Sequence, residues 1–256
     1  MSALDSTKRE PLLESLQSET FDLIVIGGGI TGAGILRDAA QRGLRVALLE
    51  ADDFSSGTSS KSTKLIHGGI RYLAQGYVGL VREGALERKR VHRIAPHLAE
   101  PKWLMLPARN FFEWMKYKIG VIAYEQLGAV DAKDRHFDVS GARMAEHESL
   151  IDRSRFPRAV VYREYLTDDS RLVLANVRAG IAAGGVAGNK LAVTGLLKEG
   201  AMVSGVRARC ALTGAEITVK GKGVINAAGP WVESVCNFDG VTPPKSLVLS
   251  KGVHVV

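Results

Sequence analysis

The chain has 256 residues, 46% of them apolar, and a formal net charge of +7 from 34 Lys and Arg against 27 Asp and Glu. This is the size and composition of one large globular domain or two small ones, not of a disordered or fibrous chain. The basic residues are scattered and carry no interleaved aromatics, which argues against nucleic-acid binding and leaves an anionic substrate, an anionic membrane surface or a plain solvated surface.

Two cysteines, Cys210 and Cys236, form neither a C-x-x-C pair nor a metal-ligand spacing. Reduced thiols, a cytoplasmic location and no metal are therefore expected. Residues 1–20 are polar, with no apolar signal core, and no run approaches the ~18 apolar residues of a membrane span. This leader is expected to form a helical turn or two around Pro11–Leu16, either packed on the domain or mobile, and is given no chemistry.

Phe21 to Glu50 is the most informative stretch. Leu23-Ile24-Val25-Ile26 reads as a buried parallel strand, which is aliphatic throughout because both faces are covered. Gly27, Gly29 and Gly32 follow in the spacing G-x-G-x-x-G, then a helix from about Ile30 to Arg42 with Gly43 at its C-terminal cap, then a strand Arg45–Leu49 ending on Glu50. Gly27 permits the tight turn, Gly29 lets a pyrophosphate approach the backbone, and Gly32 lets the helix lie against the strand. The helix start, with Ile30 and Thr31, offers N–H groups and partial positive charge to a phosphate. Glu50, about twenty residues past the glycines, suits ribose hydroxyls and repels a 2′-phosphate, which disfavours NADP. Strand, turn, helix, strand and acid in register predict dinucleotide binding, and the motif admits FAD and NAD alike.

Ala51 to Gly69 is dense in Ser, Thr and Gly. A linker has similar composition. Its position directly after the acid-ending strand predicts instead a cradle for pyrophosphate and ring, with Lys64 neutralising phosphate charge. Gly76–His92 reads as a helix with its charges on one side, stopped by Pro96. Trp103–Pro107 reads as a short strand. Phe111–Leu127 reads as a helix with Phe111, Met115, Ile119 and Ile122 at helical spacing, suited to a core, a dimer face or a membrane interface. Asp131–Phe156 has no clean period and is expected to be loop and short helix. Ala159–Tyr165 is strand-like, and Asp168-Asp169 are expected to cap a helix over Leu172–Ala183. Leu191–Leu197, Met202–Cys210 and Glu216–Lys220 form an antiparallel meander with turns at Lys198-Glu199-Gly200 and Thr213-Gly214-Ala215. A final buried strand, Gly223–Gly229, ends on small residues. No internal repeat is visible.

Several stretches carry a family resemblance: Thr58-Ser59-Ser60, then Ser62-Thr63-Lys64-Leu65-Ile66-His67-Gly68-Gly69-Ile70-Arg71-Tyr72-Leu73, Ala95-Pro96-His97, Asp168-Asp169-Ser170-Arg171-Leu172-Val173-Leu174-Ala175-Asn176, Asn226-Ala227-Ala228-Gly229-Pro230-Trp231 and Lys251-Gly252-Val253-His254. Together they resemble the FAD-dependent, quinone-linked glycerol-3-phosphate dehydrogenases over nearly everything after residue 20. The resemblance implies FAD rather than NAD, and an α/β, Rossmann-type FAD-binding fold of the glutathione-reductase or D-amino-acid-oxidase kind, followed by the start of a mixed α+β substrate domain. The implied organisation is a leader (1–20), an FAD-binding domain (21–235) with a helical insertion at about 76–150, and an incomplete substrate domain (236–256). Relatives in that family are substantially longer, so the sequence reads as the N-terminal portion of a larger enzyme.

The resemblance also implies roles. Glycerol 3-phosphate would be oxidised to dihydroxyacetone phosphate by hydride transfer to flavin N5, and electrons would pass to quinone, with peripheral membrane contact on the cytoplasmic face and a homodimer as further expectations. The flavin dinucleotide would be held by Gly27, Gly29, Ile30, Thr31, Gly32, Glu50, Ala51, Thr58, Ser59, Ser60, Ser62, Lys64, Leu65, His67 and Gly69, with adenine against the Val186 backbone and a second contact at Ala228, Gly229 and Trp231. His254 matches the family's histidine near the flavin and is the expected base, with His67 as rival. Arg71 is the expected phosphate clamp, since its planar fork matches phosphate, and Tyr72 would supply a hydroxyl beside it. The alternatives are a flavin oxidase of the same fold acting on an amine or amino acid, or an FAD-binding fragment without turnover.

Overall fold

The structure, a computed structural model, describes residues 6–73, 75–240, 247, 248 and 252. Two compact units divide the chain: Met1–Thr63 with Asp169–Val256, and Lys64–Asp168.

In the first unit a parallel sheet runs in the order Val224–Asn226, Leu23–Ile26, Val46–Leu49, Val186–Gly188. Ile24, Ile26, Ala47 and Leu49 pack on one face into a cluster with Leu191, Val206, Ile217 and Val219 of the second sheet. Val25, Val46 and Leu48 pack on the other face against Ala33, Leu36, Val173 and Val177 of helices Ile30–Gln41 and Asp169–Ala182. Both faces being covered is the reason these two strands carry no polar residue. Each fully buried Ile, Val or Leu contributes about 1.5–3 kcal/mol. The helix Ile30–Gln41 ends as predicted, with Gly43 beyond it at φ +82°.

The second sheet holds the predicted meander, Leu191–Glu199, Met202–Cys210 and Glu216–Gly221, and adds Thr20–Phe21 parallel to its last strand. The leader contains a longer helix than the expected turn or two, Arg9–Ser18, and Leu13 and Leu16 bury in the core beside Phe21. The final strand is also shorter than predicted. Only Val224–Asn226 pairs, at the edge of the parallel sheet, so Ile225 remains 36% exposed, and Gly229–Trp231 turns into helix Val232–Cys236.

The second unit is built on an antiparallel sheet as well as helices. Arg158–Thr167 is its central strand, paired with Ala99–Ala108 on one side and with Leu65–Ile66 and Phe137–Ser140. Among the described residues Ala99–Ala108 has a single partner strand, which is where Pro101 and Pro107 can be accommodated without breaking a ladder on both sides. The stretch expected to be loop and short helix holds the short helix Gly141–His147 and, unlike the expectation, the strand Phe137–Ser140. Four residues are too few for a period to show. Helices Val78–Ile94 and Phe111–Leu127 pack through Val81, Ala85, Val121 and Tyr124 against Val160 and Tyr162. The apolar stripe read from the sequence is not the buried face of the second helix. Phe111 and Ile119 are exposed, and Val121, Tyr124 and Glu125 are buried. No helix among the described residues is long and apolar enough to cross a membrane.

Candidate cofactor site

The glycine turn lies at the carboxyl end of Leu23–Ile26, between that strand and the helix. Gly27 has φ +109°, and a Cβ there would come 2.5 Å from the Ala227 carbonyl oxygen. A Cβ on Gly32 would come 1.9 Å from the Gly27 carbonyl oxygen, so helix and strand approach closely only because both positions are glycine. The helix N-cap is Gly29, which has no side chain to cap it, and its first turn holds no acid. This leaves the positive end of the helix dipole free of a local carboxylate, as an anion site requires. The Ile30 N–H donates to the Ser59 hydroxyl at 2.9 Å, which places the Ser/Thr-rich loop directly over the helix start.

Glu50 is half-buried, and its carboxylate is already oriented. Oε2 accepts from the Gly28 N–H at 2.6 Å and Oε1 from the Asp52 N–H at 2.7 Å. Phe54 is buried against Gly28, where an added Cβ would come 2.7 Å from its ring. The Ser55 N–H donates to the Gly28 carbonyl at 3.0 Å. The loop is tied down further on. The Ser55 hydroxyl donates to the Ser59 carbonyl at 2.9 Å, and the Ser62 hydroxyl donates to Asp169 at 2.8 Å. Asp169 also accepts from the Ser170 N–H at 2.9 Å, and the helix begins at Asp169 itself rather than after an Asp168-Asp169 cap. Ala51 is exposed just after the strand, and Thr58, Ser59 and Ser60 form one 3-10 turn. Trp231 lies beside this loop, since a Cβ on Gly57 would come 3.1 Å from its ring. Val186 pairs in register with Ala47, and Ala228 lies against Gly27. The first unit therefore brings together Gly27, Gly29, Ile30, Thr31, Gly32, Glu50 and Thr58–Ser62, with Ala228, Gly229 and Trp231 at the neighbouring strand end.

Lys64, Leu65, His67, Gly69, Arg71 and Tyr72 lie in the second unit. Lys64 has φ +60°, and its carbonyl accepts from the Thr167 N–H at 2.7 Å. Leu65 pairs with Leu166. The His67 ring is exposed, and its Nδ1 accepts from the Gly69 N–H at 3.1 Å, which puts the proton of the neutral ring on Nε2. Gly69 has φ +71°. Arg71 and Tyr72 lie in helix Ile70–Leu73, with Tyr72 45% exposed and edge-on to Tyr77 at 6.4 Å. His254 lies outside the described residues.

Sequence reasoning missed a buried triad beneath the His67–Gly69 turn. Tyr124 Oη accepts from the Gly68 N–H at 2.8 Å and from Arg88 Nη1 at 2.5 Å, and donates to Glu164 Oε1 at 2.7 Å. Arg88 Nη1 also donates to Glu164 Oε2 at 2.6 Å, and all three side chains are buried. Burial pushes the Tyr124 hydroxyl well above the ordinary tyrosine range. Burial alone disfavours the Arg88 charge, but Tyr124 and Glu164 outweigh it and hold the guanidinium above its usual value. No sequence signal exposes this group, because its members come from two helices and a strand far apart in the chain. A second missed group is Arg9, Asp53 and Asn189 around Glu50: Arg9 and Asn189 are 180 positions apart.

Residues 22–256 match the family described as FAD dependent oxidoreductase. The chain belongs to this FAD-dependent oxidoreductase family. It is 40% identical, over 99% of its length, to the aerobic glycerol-3-phosphate dehydrogenases of Staphylococcus haemolyticus and Staphylococcus aureus, and it covers 46% of each. The chain thus spans about half the length of the curated relatives it matches. Among solved structures, it resembles the glycerol-3-phosphate dehydrogenase from Bacillus halodurans complexed with FAD, at TM-score 0.72 and 34% identity, over 93% of this chain and 39% of that one. It also resembles L-proline dehydrogenase from P. horikoshii at TM-score 0.67 and 20% identity, over 87% of this chain and 56% of that one, a likeness of fold alone. These matches bear out the expected FAD-binding α/β fold. Within the FAD-dependent oxidoreductase family the glycine turn has a clear use. Its geometry fits a dinucleotide: a helix start with no acid in its first turn and a glycine at its N-cap, glycines where a side chain would collide, and an oriented carboxylate one strand away. Among the described residues no group of three His, Cys, Asp or Glu side chains is placed to hold a metal.

Proposed function

We propose that this chain forms the FAD-binding part of an enzyme that oxidises sn-glycerol 3-phosphate to dihydroxyacetone phosphate and passes the electrons to quinone. The observation that carries the reading is the 40% identity to aerobic glycerol-3-phosphate dehydrogenases across 99% of this chain. The geometry supports the cofactor half of it. The start of helix Ile30–Gln41 would face the diphosphate, Glu50 would accept from ribose hydroxyls, and Ser59 would fix the loop above them. FAD, when bound, supplies the acceptor for the hydride leaving the substrate's carbinol carbon.

The chain's own residues would position the substrate and handle its charge and proton. Arg71 is assigned the phosphate, since a guanidinium matches two phosphate oxygens at once, and Tyr72 presents its half-exposed hydroxyl from the same helix. His254 is assigned the hydroxyl proton, as an imidazole titrates near neutrality. His67 is the weaker choice, because its Nδ1 lone pair is already taken by the Gly69 N–H. Val186 is assigned the adenine. Location on the cytoplasmic face of a membrane and pairing with a second copy complete the proposal. Phe112, 82% exposed beside exposed Phe111 and Ile119, supports a face that meets lipid or another chain.

The test is an assay of the full-length protein with glycerol 3-phosphate and an artificial electron acceptor, against a panel of amines and amino acids. Turnover of glycerol 3-phosphate alone is expected. Turnover of an amine with oxygen would assign the protein to the oxidases of this fold, and bound flavin with no turnover would make it a binding fragment. Arg71→Ala should raise KM for glycerol 3-phosphate; an unchanged KM removes the clamp.

A further inference from the structure

We propose that the N-terminal helix belongs to the nucleotide site, with Arg9 as a positioning residue that acts through Asn189 to hold Glu50 in place for a ribose diol. The inference deepens the FAD reading above and rests on it. A carboxylate has about four acceptor positions. Glu50 uses two of them on the Gly28 and Asp52 N–H groups, at 2.6 and 2.7 Å. The other two are available to hydroxyls only while the turn 50–53 keeps its shape.

That turn is held from its outer side by residues 188–191. The Glu50 N–H donates to the Gly188 carbonyl at 2.9 Å, the Lys190 N–H to the Asp52 carbonyl at 2.8 Å, and the Leu191 N–H to the Glu50 carbonyl at 2.8 Å. Asn189 Nδ2 donates to Asp53 Oδ1 at 2.9 Å, and Lys190 Nζ pairs with Asp52. Lys190 itself adopts φ +53°, a left-handed conformation that a residue with a side chain keeps only when its surroundings enforce it.

Arg9 braces the residue before it. Its Nη1 donates to the Asn189 carbonyl at 2.8 Å and its Nη2 to Asn189 Oδ1 at 2.9 Å. The guanidinium fork thereby fixes both the backbone and the side-chain amide of Asn189, turning Nδ2 towards Asp53. Arg9 is itself anchored, because Leu13 and Leu16 of its helix are buried in the core and Leu12 packs by Gly188. Hydrogen bonds therefore run from the N-terminal helix through Asn189 to Asp53, the Asp52–Asp53 peptide carries the connection one residue back, and the Asp52 N–H donates to the Glu50 carboxylate.

The experiment measures FAD and ADP dissociation constants by flavin fluorescence and competition for the wild-type chain, Arg9→Ala, Arg9→Lys and the surface control Arg42→Ala, together with melting temperatures. Hydrogen exchange in the flavin-free protein is followed at the Asp52 and Lys190 amides. Arg9→Ala should weaken FAD and ADP in parallel by about tenfold, the loss of a bidentate charged contact, and should speed exchange at Asp52 and Lys190. Arg9→Lys should recover part of the affinity, and Arg42→Ala should bind FAD and ADP as the wild type does. Dissociation constants within twofold of wild type in Arg9→Ala, even with a lowered melting temperature, overturn the inference and leave FAD binding standing. A wild-type chain that binds no FAD overturns both.

Discussion

Replacing Glu164 by leucine isolates the energetics of the triad in the second unit. Arg88 is 4% exposed and Glu164 0% exposed, at 2.6 Å from each other. Glu164→Leu leaves the Arg88 guanidinium in the same protein interior with no counter-charge and removes the acceptor of the Tyr124 hydroxyl. Breaking one side of a buried pair costs about 3–5 kcal/mol, because the orphaned charge keeps its desolvation penalty. For a unit of this size, that corresponds to a melting temperature lower by roughly 12–20 °C, at about 4 °C per kcal/mol. Arg88→Met with Glu164→Leu removes both charges, and such replacements are often neutral. The double variant should therefore recover most of the loss. Urea unfolding followed by Trp103 and Trp114 fluorescence, in a Trp231→Phe background, reports this unit. A single-variant cost below about 1 kcal/mol, or a double variant as unstable as the sum of the singles, would refute the reasoning.

Three further outcomes follow from the same structure. Burial raises the Tyr124 pKa, so above about pH 10 the unfolded chain ionises this hydroxyl while the folded one retains the proton. The folded state then binds more protons, and stability present in full below that pH falls as pH rises. Wild type should lose stability more steeply than Tyr124→Phe between pH 10 and 11, and parallel slopes would show that the hydroxyl is not buried. Gly32→Ala drives a Cβ to 1.9 Å from the Gly27 carbonyl oxygen and should cost on the order of 1–3 kcal/mol, with FAD affinity lost along with the turn geometry; calorimetry showing no change would contradict the close approach. Asn110 caps helix Phe111–Leu127 by accepting from the Glu113 N–H at 2.9 Å, so Asn110→Ala should lower stability by about 1 kcal/mol and Asn110→Gly by only a few tenths. Equal losses for the two would mean the cap contributes little.

The elements legible in the sequence are those whose signal is local. Leu23–Ile26, the glycine turn, the following helix and Val46–Leu49 form an unbroken pattern of about thirty residues, each part defining the next. The meander was readable because its strands alternate and its turns carry Gly200 and Gly214, both at positive φ. Arg88 shows the opposite case. In sequence it is one of many charges on helix Val78–Ile94, and its burial follows only from Tyr124 and Glu164 arriving from elsewhere. Phe111–Leu127 shows the same limit: Phe111 and Ile119 at helical spacing suit a core, a dimer face or a membrane interface alike, and only the structure shows that the face meeting the sheet is the one carrying Val121 and Tyr124.

By itself, then, the sequence determined the dinucleotide turn, the acid at the end of the second strand and the parallel arrangement around them, because those depend on backbone constraints that glycine, aliphatic runs and one carboxylate impose within a short span. Only the tertiary structure decided which charges are buried, that the N-terminal helix is docked, and that Arg9 meets Asn189 beside Glu50. Those outcomes depend on which distant surfaces exclude water from each other, and no local pattern of residues carries that information.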